Sequence, residues 1–365
     1  MRNYPDFNDI DDENDGDYPE CFQQWDAAVR QGLSPGYFEV DDLCDIIDIY
    51  LSEGDVKSGR FAIDYAFKIY PDNEELIYEV LLLLNDFELW NDLLIWAEKY
   101  QDIRHVWADG HKLTALLHLG MEEDAFHFFK NLKSKYGGDL ENISIIYQAM
   151  AEALHEIDLY DASIEVIQEA IGILGQEVDL LWLQVQSYLA LDDKEKVVEL
   201  CALIQKKNLM DAETWNRLGN TYKEIDETEK SIESYEFAHS LGFKGSVNLL
   251  NMIYGYEKNG NLNKALEKSK EYLSLYPDSY LVTLIAANIC SLIENWEEGL
   301  VYIQIAIDLE PLMEALHLYK CNFLLKLGET KKAQIALLVG IEKTKDSKGL
   351  LKKELDDIMK KDSEA

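Results

Sequence analysis

The stretch from Trp215 to Ala238, WNRLGNTYKEIDETEKSIESYEFA, decides how this chain folds. Large apolar residues recur in it at spacings of three and four, which is the pattern of an amphipathic α-helix. Hydrophilic residues around Asp226 interrupt that pattern near the middle. The stretch therefore predicts two helices joined by a short turn, and the next question is whether this hairpin occurs once or many times.

Similar residues return every 34 positions along the chain. Steps of 34 from Tyr222 lead to Tyr188, Tyr256, Cys290 and Leu324. A second column consists mostly of small residues, namely Ser163, Val197, Ser231, Ala265, Gly299 and Ala333, and a third contains Pro277 and Pro311. Self-similarity at this period is typical of helical solenoids. We therefore predict an all-α solenoid of about nine helix-turn-helix repeats, with units that start near residues 40, 74, 108, 144, 178, 212, 246, 280 and 314.

Two further sets of positions favour the hairpin. The position between the two helices is occupied by Gly54, Glu88, Asp158, Asp192, Asp226, Gly260, Glu294 and Gly328. Glycine tolerates the left-handed conformation that ends a helix, and aspartate suits a turn. Where the second helix should cross the first, most units have a small residue: Gly59, Ala125, Ser163, Ser231, Ala265, Gly299 and Ala333. Close helix packing needs such residues. The unit near 105–143 fits only if the repeat slips by a few residues, so we expect a longer loop or turn there.

The clearest unit resembles the tetratricopeptide repeat family. The family pattern has Trp-x-x-Leu-Gly-x-x-Tyr in the first helix, then Ala, an aromatic residue, Ala and Pro. The matching residues are Trp215, Leu218, Gly219, Tyr222, Ser231, Tyr235 and Ala238, with Phe243 at the proline position. The resemblance extends over residues 40–345 and is degenerate before 144. It implies hairpins stacked into a right-handed superhelix, with a concave groove that binds a peptide or protein segment.

The two ends of the array differ from its middle. Residues 1–20 carry eight acidic residues and one Arg, and we predict a disordered acidic tail there. Residues 21–39 are expected to form an N-terminal capping helix that packs through Phe22, Trp25 and Val29. Residues 346–365 are expected to form a C-terminal capping helix with an apolar stripe.

The charge of the chain limits the kinds of partner it can bind. Its 365 residues include 70 acidic and 34 basic ones, for a net charge of −36. Such a surface repels nucleic-acid phosphates and anionic lipids, so we expect neither a nucleic acid nor a membrane as partner. Two interpretations of the acidity stay open, since it either keeps the chain soluble or complements a basic partner. The five scattered cysteines form no CxxC pair, which favours a reducing compartment. The excess of acidic residues and the absence of a recognisable targeting signal lead us to expect a bacterial cytoplasmic protein.

The sequence offers little that points to catalysis. Common phosphate-binding, zinc-protease and serine-hydrolase motifs are missing from it. His105, His111, His118 and His127 cluster in the irregular unit, where His118 and Glu122 are one helical turn apart. Two ligands do not make a zinc site. We therefore predict no enzyme activity, no metal and no cofactor.

The resemblance also implies which residues face the groove, because the second, fifth, ninth and twelfth positions of each first helix line it in the family. These positions give the candidate binding residues Gln148, Glu152, Trp182, Gln186, Asn216, Asn220, Lys223, Tyr254, Asn288 and Asn322. An asparagine amide both donates and accepts hydrogen bonds, so it can hold a peptide backbone of any sequence. Trp182 and Tyr254 are the kind of aromatic residue that contributes much binding energy. The alternative is a solvated face with asparagines by chance.

Some family members bind a terminal carboxylate with basic residues and two asparagines, but here Leu284 and Ile285 occupy the basic positions. That specificity is therefore not predicted. Our first hypothesis is a non-enzymatic scaffold that binds a protein or peptide in the groove. The alternative is a structural or assembly subunit that uses its convex face or its ends. The oligomeric state cannot be predicted from the sequence.

Overall fold

The structure of this chain, a computed structural model, describes residues 18–100, 106–345 and 349–364. Within these ranges every regular element is an α-helix. The predicted acidic tail lies outside the described residues except for its last three positions. The predicted all-α solenoid is confirmed, because helical hairpins follow one another at the expected period.

The helices alternate between a first and a second member of each hairpin. The first helices are α2 (Val40–Ser52), α4 (Glu74–Asp86), α6 (Val106–His118), α8 (Leu140–Glu156), α10 (Val178–Ala190), α12 (Ala212–Glu224), α14 (Ser246–Lys258), α16 (Tyr280–Leu292) and α18 (Glu314–Lys326). The second helices are α3 (Val56–Ile69), α5 (Trp90–Tyr100), α7 (Glu122–Tyr136), α9 (Tyr160–Leu174), α11 (Lys194–Lys207), α13 (Thr228–Ser240), α15 (Leu262–Leu275), α17 (Trp296–Leu309) and α19 (Thr330–Thr344). One further helix lies at each end, α1 (Glu20–Arg30) and α20 (Leu350–Glu364).

The chain forms two compact units, residues 1–193 and 194–365. The first unit contains α1 to α10, and the second contains α11 to α20. The division falls in the turn at Asp192, so each unit holds four complete hairpins in the part of the chain that the structure describes.

The hairpin turns adopt the conformation that their residues predict. All eight predicted slots between first and second helices have a positive φ, from 55° at Asp192 to 79° at Gly54, and Gly120 between α6 and α7 has 73°. A left-handed residue ends the first helix and lets the chain reverse. Asp and Glu occupy five of these slots although the conformation costs a residue with a side chain about 1 kcal/mol or more. The tertiary packing of the hairpins therefore holds these turns in place.

Small residues lie where the two helices of a hairpin cross. All seven predicted crossing residues are buried. Ser163 donates a hydrogen bond from Oγ to the carbonyl of Ala151 at 2.7 Å, and Ser231 does the same to Gly219 at 2.8 Å. Serine thus provides both the close approach and a bond to the neighbouring helix.

The irregular unit differs from the expectation in where its extra residues lie. Helix α6 begins at Val106 and α8 at Leu140, rather than near 108 and 144. Helix α8 has 17 residues, whereas α2, α4, α10 and α12 have 13 each. Within the described residues, the shift of the repeat coincides with the longer helix α8, and residues 101–105, just before α6, lie outside the described residues.

Both ends of the array are covered by apolar contacts. Phe22, Trp25 and Val29 of α1 are buried in the core that α2 to α5 also form. Leu351, Leu355 and Ile358 of α20 are buried against α18 and α19. Among the described residues, no helix combines the length and the apolar composition that crossing a lipid bilayer requires.

Candidate functional site

In the second unit, four successive first helices expose the same position. Asn220 of α12, Tyr254 of α14, Asn288 of α16 and Asn322 of α18 are all exposed and are spaced by 34 residues. We call these four residues the asparagine column. The Tyr254 side chain is 44% exposed. The column follows from the repeat itself, because the same two sides of each first helix are buried in its neighbours.

Asn220 is held by a small hydrogen-bond network. Its Oδ1 accepts bonds from the Tyr235 hydroxyl at 2.7 Å and from Nδ2 of Asn251 at 3.4 Å. Lys223 donates from Nζ to Oδ1 of Asn251 at 2.9 Å. The oxygen of Asn220 is therefore occupied, and its NH₂ group is the part that a ligand could use. Lys223 adds a fixed positive charge beside it, while Asn216, one turn earlier, is half-buried.

Gly219 explains why Tyr235 can reach Asn220. A Cβ at position 219 would lie 2.5 Å from Cε1 of Tyr235, which is far inside van der Waals contact. The missing side chain leaves room for the fully buried tyrosine ring to lie across α12. The glycine and the tyrosine of the repeat pattern thus orient one residue of the asparagine column.

Exposed apolar side chains lie beside the asparagine column. Val247 and Leu281 precede Tyr254 and Asn288 by seven residues, or about two helical turns, and so share their face. They are 66% and 52% exposed, and Tyr319 of α18 is 54% exposed. The groove prediction omitted these residues, although the spacing of 34 between Val247 and Leu281 was a visible signal. Exposed apolar side chains that recur on successive repeats of one face favour a protein interaction site.

In the first unit, helices α4, α6 and α8 line a concavity of about 310 Å³, here called the first concavity. Gln148 and Glu152 contribute to its wall, and Nε2 of Gln148 donates to Oε1 of Glu152 at 2.7 Å. Helices α6 and α8 approach closely because Gly110 has no side chain, and a Cβ there would lie 3.3 Å from Cβ of Ala149. Two predicted groove residues therefore do lie in a concave surface formed by first helices.

Two titratable groups of this concavity have altered pKa values. The pKa of Glu152 is raised, first by loss of hydration and then by repulsion from Glu156 and Asp179, although Gln148 opposes the shift. This shift arises although Glu152 as a residue is exposed, because its carboxyl group lies against the wall of the concavity. Burial lowers the pKa of His111 to about 4, so this imidazole is neutral at pH 7.

The interpretation of Trp182 as a groove residue is wrong. Its side chain is 4% exposed. Helix α10 buries Leu180, Leu181, Leu183 and Val185 as well, so it is enclosed on almost every side and has no wide solvent face. Trp182 therefore belongs to the core, whereas Gln186 on the same helix is exposed as expected.

His118 and Glu122 do not share a helix, because α6 ends at His118 and α7 begins at Glu122. The His118 ring stacks on Trp90 with the ring centroids 3.9 Å apart, and its Nε2 lies 2.9 Å from Oε2 of Glu156. Among the described residues there is no group of three or more His, Cys, Asp or Glu side chains that could hold a metal ion. His105 lies outside the described residues.

The cysteines are free thiols. Cys201, Cys290 and Cys321 are buried, and Cys21 and Cys44 are partly buried. Burial raises the pKa of Cys290 and of Cys321 to about 11. These thiols are therefore protonated at pH 7 and act as small core side chains.

Comparison with known proteins finds similarity among solved structures. No protein-family model and no curated protein matches the sequence. One similar structure is YrrB, described as a tetratricopeptide protein with an unusual peptide-binding site, at 14% identity over 50% of this chain and 92% of YrrB, with a TM-score of 0.41. A second is the C-terminal part of a tetratricopeptide protein from Cytophaga hutchinsonii, at 13% identity over 66% of this chain and 96% of that one, with a TM-score of 0.47. A third is a tetratricopeptide repeat protein from Parabacteroides merdae, at 12% identity over 74% of this chain and 98% of that one, with a TM-score of 0.39. Similarity at this level says nothing about the ligand of this chain.

Proposed function

We propose that this chain, an α-solenoid of tetratricopeptide-type hairpins, is a scaffold that binds a segment of another protein and performs no chemistry on it. The observation that carries the proposal is the asparagine column, exposed on four successive first helices of the second unit and flanked by exposed Val247, Leu281 and Tyr319. A solvated face without a function would not need large apolar side chains on consecutive repeats. The column is thus the surface on which we expect the partner to lie.

The chemistry of the column suits an extended segment. Amides of Asn288 and Asn322 can donate to carbonyls and accept from N–H groups of a peptide backbone. Tyr254 provides a large apolar area with few rotatable bonds, which lowers the entropy lost on binding. Because backbone groups are common to all peptides, side-chain specificity must come from the apolar residues beside the column.

The proposal also includes the class of the partner, a protein, and the cellular location, the cytoplasm. The net charge of −36 disfavours nucleic acids and anionic membranes as partners. Free, protonated cysteines suit a reducing compartment such as the cytoplasm. Fractionation of the native cells, followed by detection of the chain with an antibody, tests the location.

One observation supports the alternative of an assembly subunit. Helix α19 exposes Ile335 and Leu338 at 59% and 54%, and Val339 lies beside them. Together with α17 and α18 this helix forms a second-unit concavity of about 290 Å³. This apolar area lies on a second helix, away from the asparagine column, and it could serve for assembly.

A capture experiment with matched variants tests the proposal. The baits are the wild-type chain, a column variant (Asn220→Ala, Tyr254→Ala, Asn288→Ala) and a control variant (Glu233→Ala, Glu267→Ala, Val301→Ala). The control positions are exposed on second helices of the same unit and are also spaced by 34 residues. Captured proteins are identified by mass spectrometry, and their affinities are measured again with purified components.

We expect the partner to bind the wild type and the control variant and to be lost, by at least about tenfold in affinity, from the column variant. Retention by the column variant with loss from the control variant would favour a surface on the second helices. Equal retention by all three baits would contradict the proposal. Circular dichroism shows whether each bait is folded.

A further inference from the structure

The negative charge of this chain is concentrated in one of its two units. Residues 1–193 contain 42 acidic and 11 basic residues, whereas residues 194–365 contain 28 acidic and 23 basic residues. The first unit therefore carries −31 of the total charge of −36. Solubility alone does not require such an uneven distribution, since an even spread of charge would serve it equally well.

Part of this charge lies on the exposed sides of first helices. In α2, α4 and α8 the exposed acidic residues include Asp41, Asp45, Asp48, Glu75, Glu152 and Glu156. The corresponding helices of the second unit expose asparagine, tyrosine and aliphatic residues, and their exposed charges are of both signs, as at Glu213, Arg217 and Lys223 of α12. The two units thus present different chemistry on equivalent faces.

An aromatic pair lies in the middle of the acidic face. Tyr78 of α4 and Trp107 of α6 contact each other edge to face with ring centroids 5.5 Å apart, and the two side chains are 37% and 45% exposed. Both rings are therefore only half covered by protein. Half-exposed aromatic rings on an acidic surface attract cationic groups.

The aromatic pair is shared by two concavities. The first concavity, already described, has Glu152 and Glu156 in its wall. Another concavity of the first unit, also of about 310 Å³, has Glu74 and Glu75 in its wall. Tyr78 and Trp107 line both. Among the described residues that line either concavity, none is a lysine or an arginine.

In the first concavity, the Glu152 carboxylate has no Lys or Arg beside it among the described residues of the wall, whereas Glu156 has a partner in His118. The wall keeps the Glu152 carboxylate from full hydration, and Glu156 and Asp179 repel that carboxylate. His111 cannot compensate for these charges, because it is neutral at pH 7. A cationic group in this space would relieve the repulsion and replace the missing hydration.

We propose that the acidic face of the first unit binds a basic segment of a partner protein, with Arg or Lys side chains in the two concavities on either side of the Tyr78–Trp107 pair. A guanidinium fits both features at once, because it stacks on aromatic rings and pairs with carboxylates through its planar fork. The inference rests on the proposed function in that the occupant is a protein segment. The basic-segment inference concerns residues of the first unit, whereas the asparagine column lies in the second unit. It also specifies that the bound segment is basic.

The test uses the full chain and a fluorescently labelled peptide, Gly-Arg-Gly-Arg-Gly-Arg-Gly, with fluorescence anisotropy at about 150 mM NaCl, where distant charges are screened. A second peptide has glutamine in place of arginine. The site variant is Glu75→Gln with Glu152→Gln, one change in each concavity. The control variant is Glu229→Gln with Glu233→Gln, which removes the same charge from exposed positions of α13.

We expect the arginine peptide to bind and the glutamine peptide to bind at least about tenfold more weakly. The site variant should lose about tenfold in affinity for the arginine peptide, and the control variant less than about twofold. Equal losses in the two variants would mean general charge attraction and would overturn the inference. Equal binding of both peptides would overturn it as well.

A third variant tests the aromatic pair separately from the charges. Trp107→Leu keeps an apolar side chain but removes the larger ring, and we expect a loss of several-fold for the arginine peptide. Unchanged affinity would show that the concavities do not hold the cationic groups. None of these variants alters the asparagine column, so failure here leaves the capture experiment to decide the proposed function.

Discussion

At the scale of single residues, the repeat pattern serves the binding surface as well as the core. Gly219 leaves space for the Tyr235 ring, and Tyr235 in turn donates its hydroxyl hydrogen to Asn220. A residue without a side chain therefore determines how an exposed amide is oriented. The same contact allows a direct test of the packing.

Gly219→Ala should destabilise the second unit although alanine favours helices. Its Cβ would overlap the buried Tyr235 ring, and we expect a net loss of about 1–2 kcal/mol in the free energy of unfolding. Urea denaturation followed by circular dichroism measures the change. Gly172→Ala in α9 is the matched control, because a Cβ there meets no atom within 4 Å, and it should gain about 0.5–1 kcal/mol. A Gly219→Ala variant as stable as the wild type would contradict the packing argument.

At the scale of helices, side-chain caps define where several first helices begin. Asp139 of α8, Asn73 of α4 and Asp211 of α12 each accept a bond from the backbone N–H three residues later. Each cap satisfies a donor that the first turn of a helix leaves unpaired. Because a cap acts within a few residues, it can be recognised in the sequence without knowledge of the tertiary structure.

Asp211 makes the stability of α12 dependent on pH. Bonds from the Thr214 hydroxyl and then from its backbone N–H lower the pKa of Asp211 below its usual value. A carboxylate with a lowered pKa stabilises the fold fully above its unfolded pKa, near 3.9, and this contribution is lost as the pH falls through the lower, folded pKa.

We expect Asp211→Ala to cost about 1 kcal/mol at pH 7. Asp211→Asn keeps a capping oxygen but cannot ionise, so the advantage of the wild type over Asp211→Asn should shrink as the pH falls from 7 to about 3. Urea denaturation of the three proteins across this range measures both effects. A gap between wild type and Asp211→Asn that does not change with pH would show that the ionised cap contributes nothing.

At the scale of the whole molecule, the chain consists of two units with similar hairpins and different charge. Like charges in the first unit repel one another, and this opposes its folding more than in the second unit, where acidic and basic residues nearly balance. Salt screens such repulsion over distances of about 10 Å at 0.1 M. The stability of the two units should therefore respond differently to salt.

Raising NaCl from about 50 to 500 mM should slow amide hydrogen exchange more in residues 18–193 than in residues 194–364. Exchange followed by mass spectrometry on the full chain reports on both units in one sample. Sucrose serves as the control, because its exclusion from protein surfaces should protect both units to a similar extent. An equal response of the two units to salt would argue against repulsion in the first.

The sequence by itself determined the architecture of this protein. Seven of the nine first helices in the described ranges begin at the predicted residue, from Val40 of α2 to Glu314 of α18. Apolar spacing, turn residues and caps act over a few positions, so they can be read locally. The predicted starts of α6 and α8 lie two and four residues too late. The repeat is degenerate there, so the neighbouring units do not show where each helix begins.

Only the tertiary structure decided which side chains are available at the surface. Trp182 is buried because α10 packs on nearly all sides. The oxygen of Asn220 is occupied because the Tyr235 hydroxyl and the Asn251 amide, 15 and 31 residues later, donate to it. Tyr78 and Trp107 meet across two first helices, and sequence reasoning selected neither. Exposure and pairing depend on residues from adjacent repeats. Periodicity predicts that a helix has a buried side, but the neighbouring helices determine how much of it remains open.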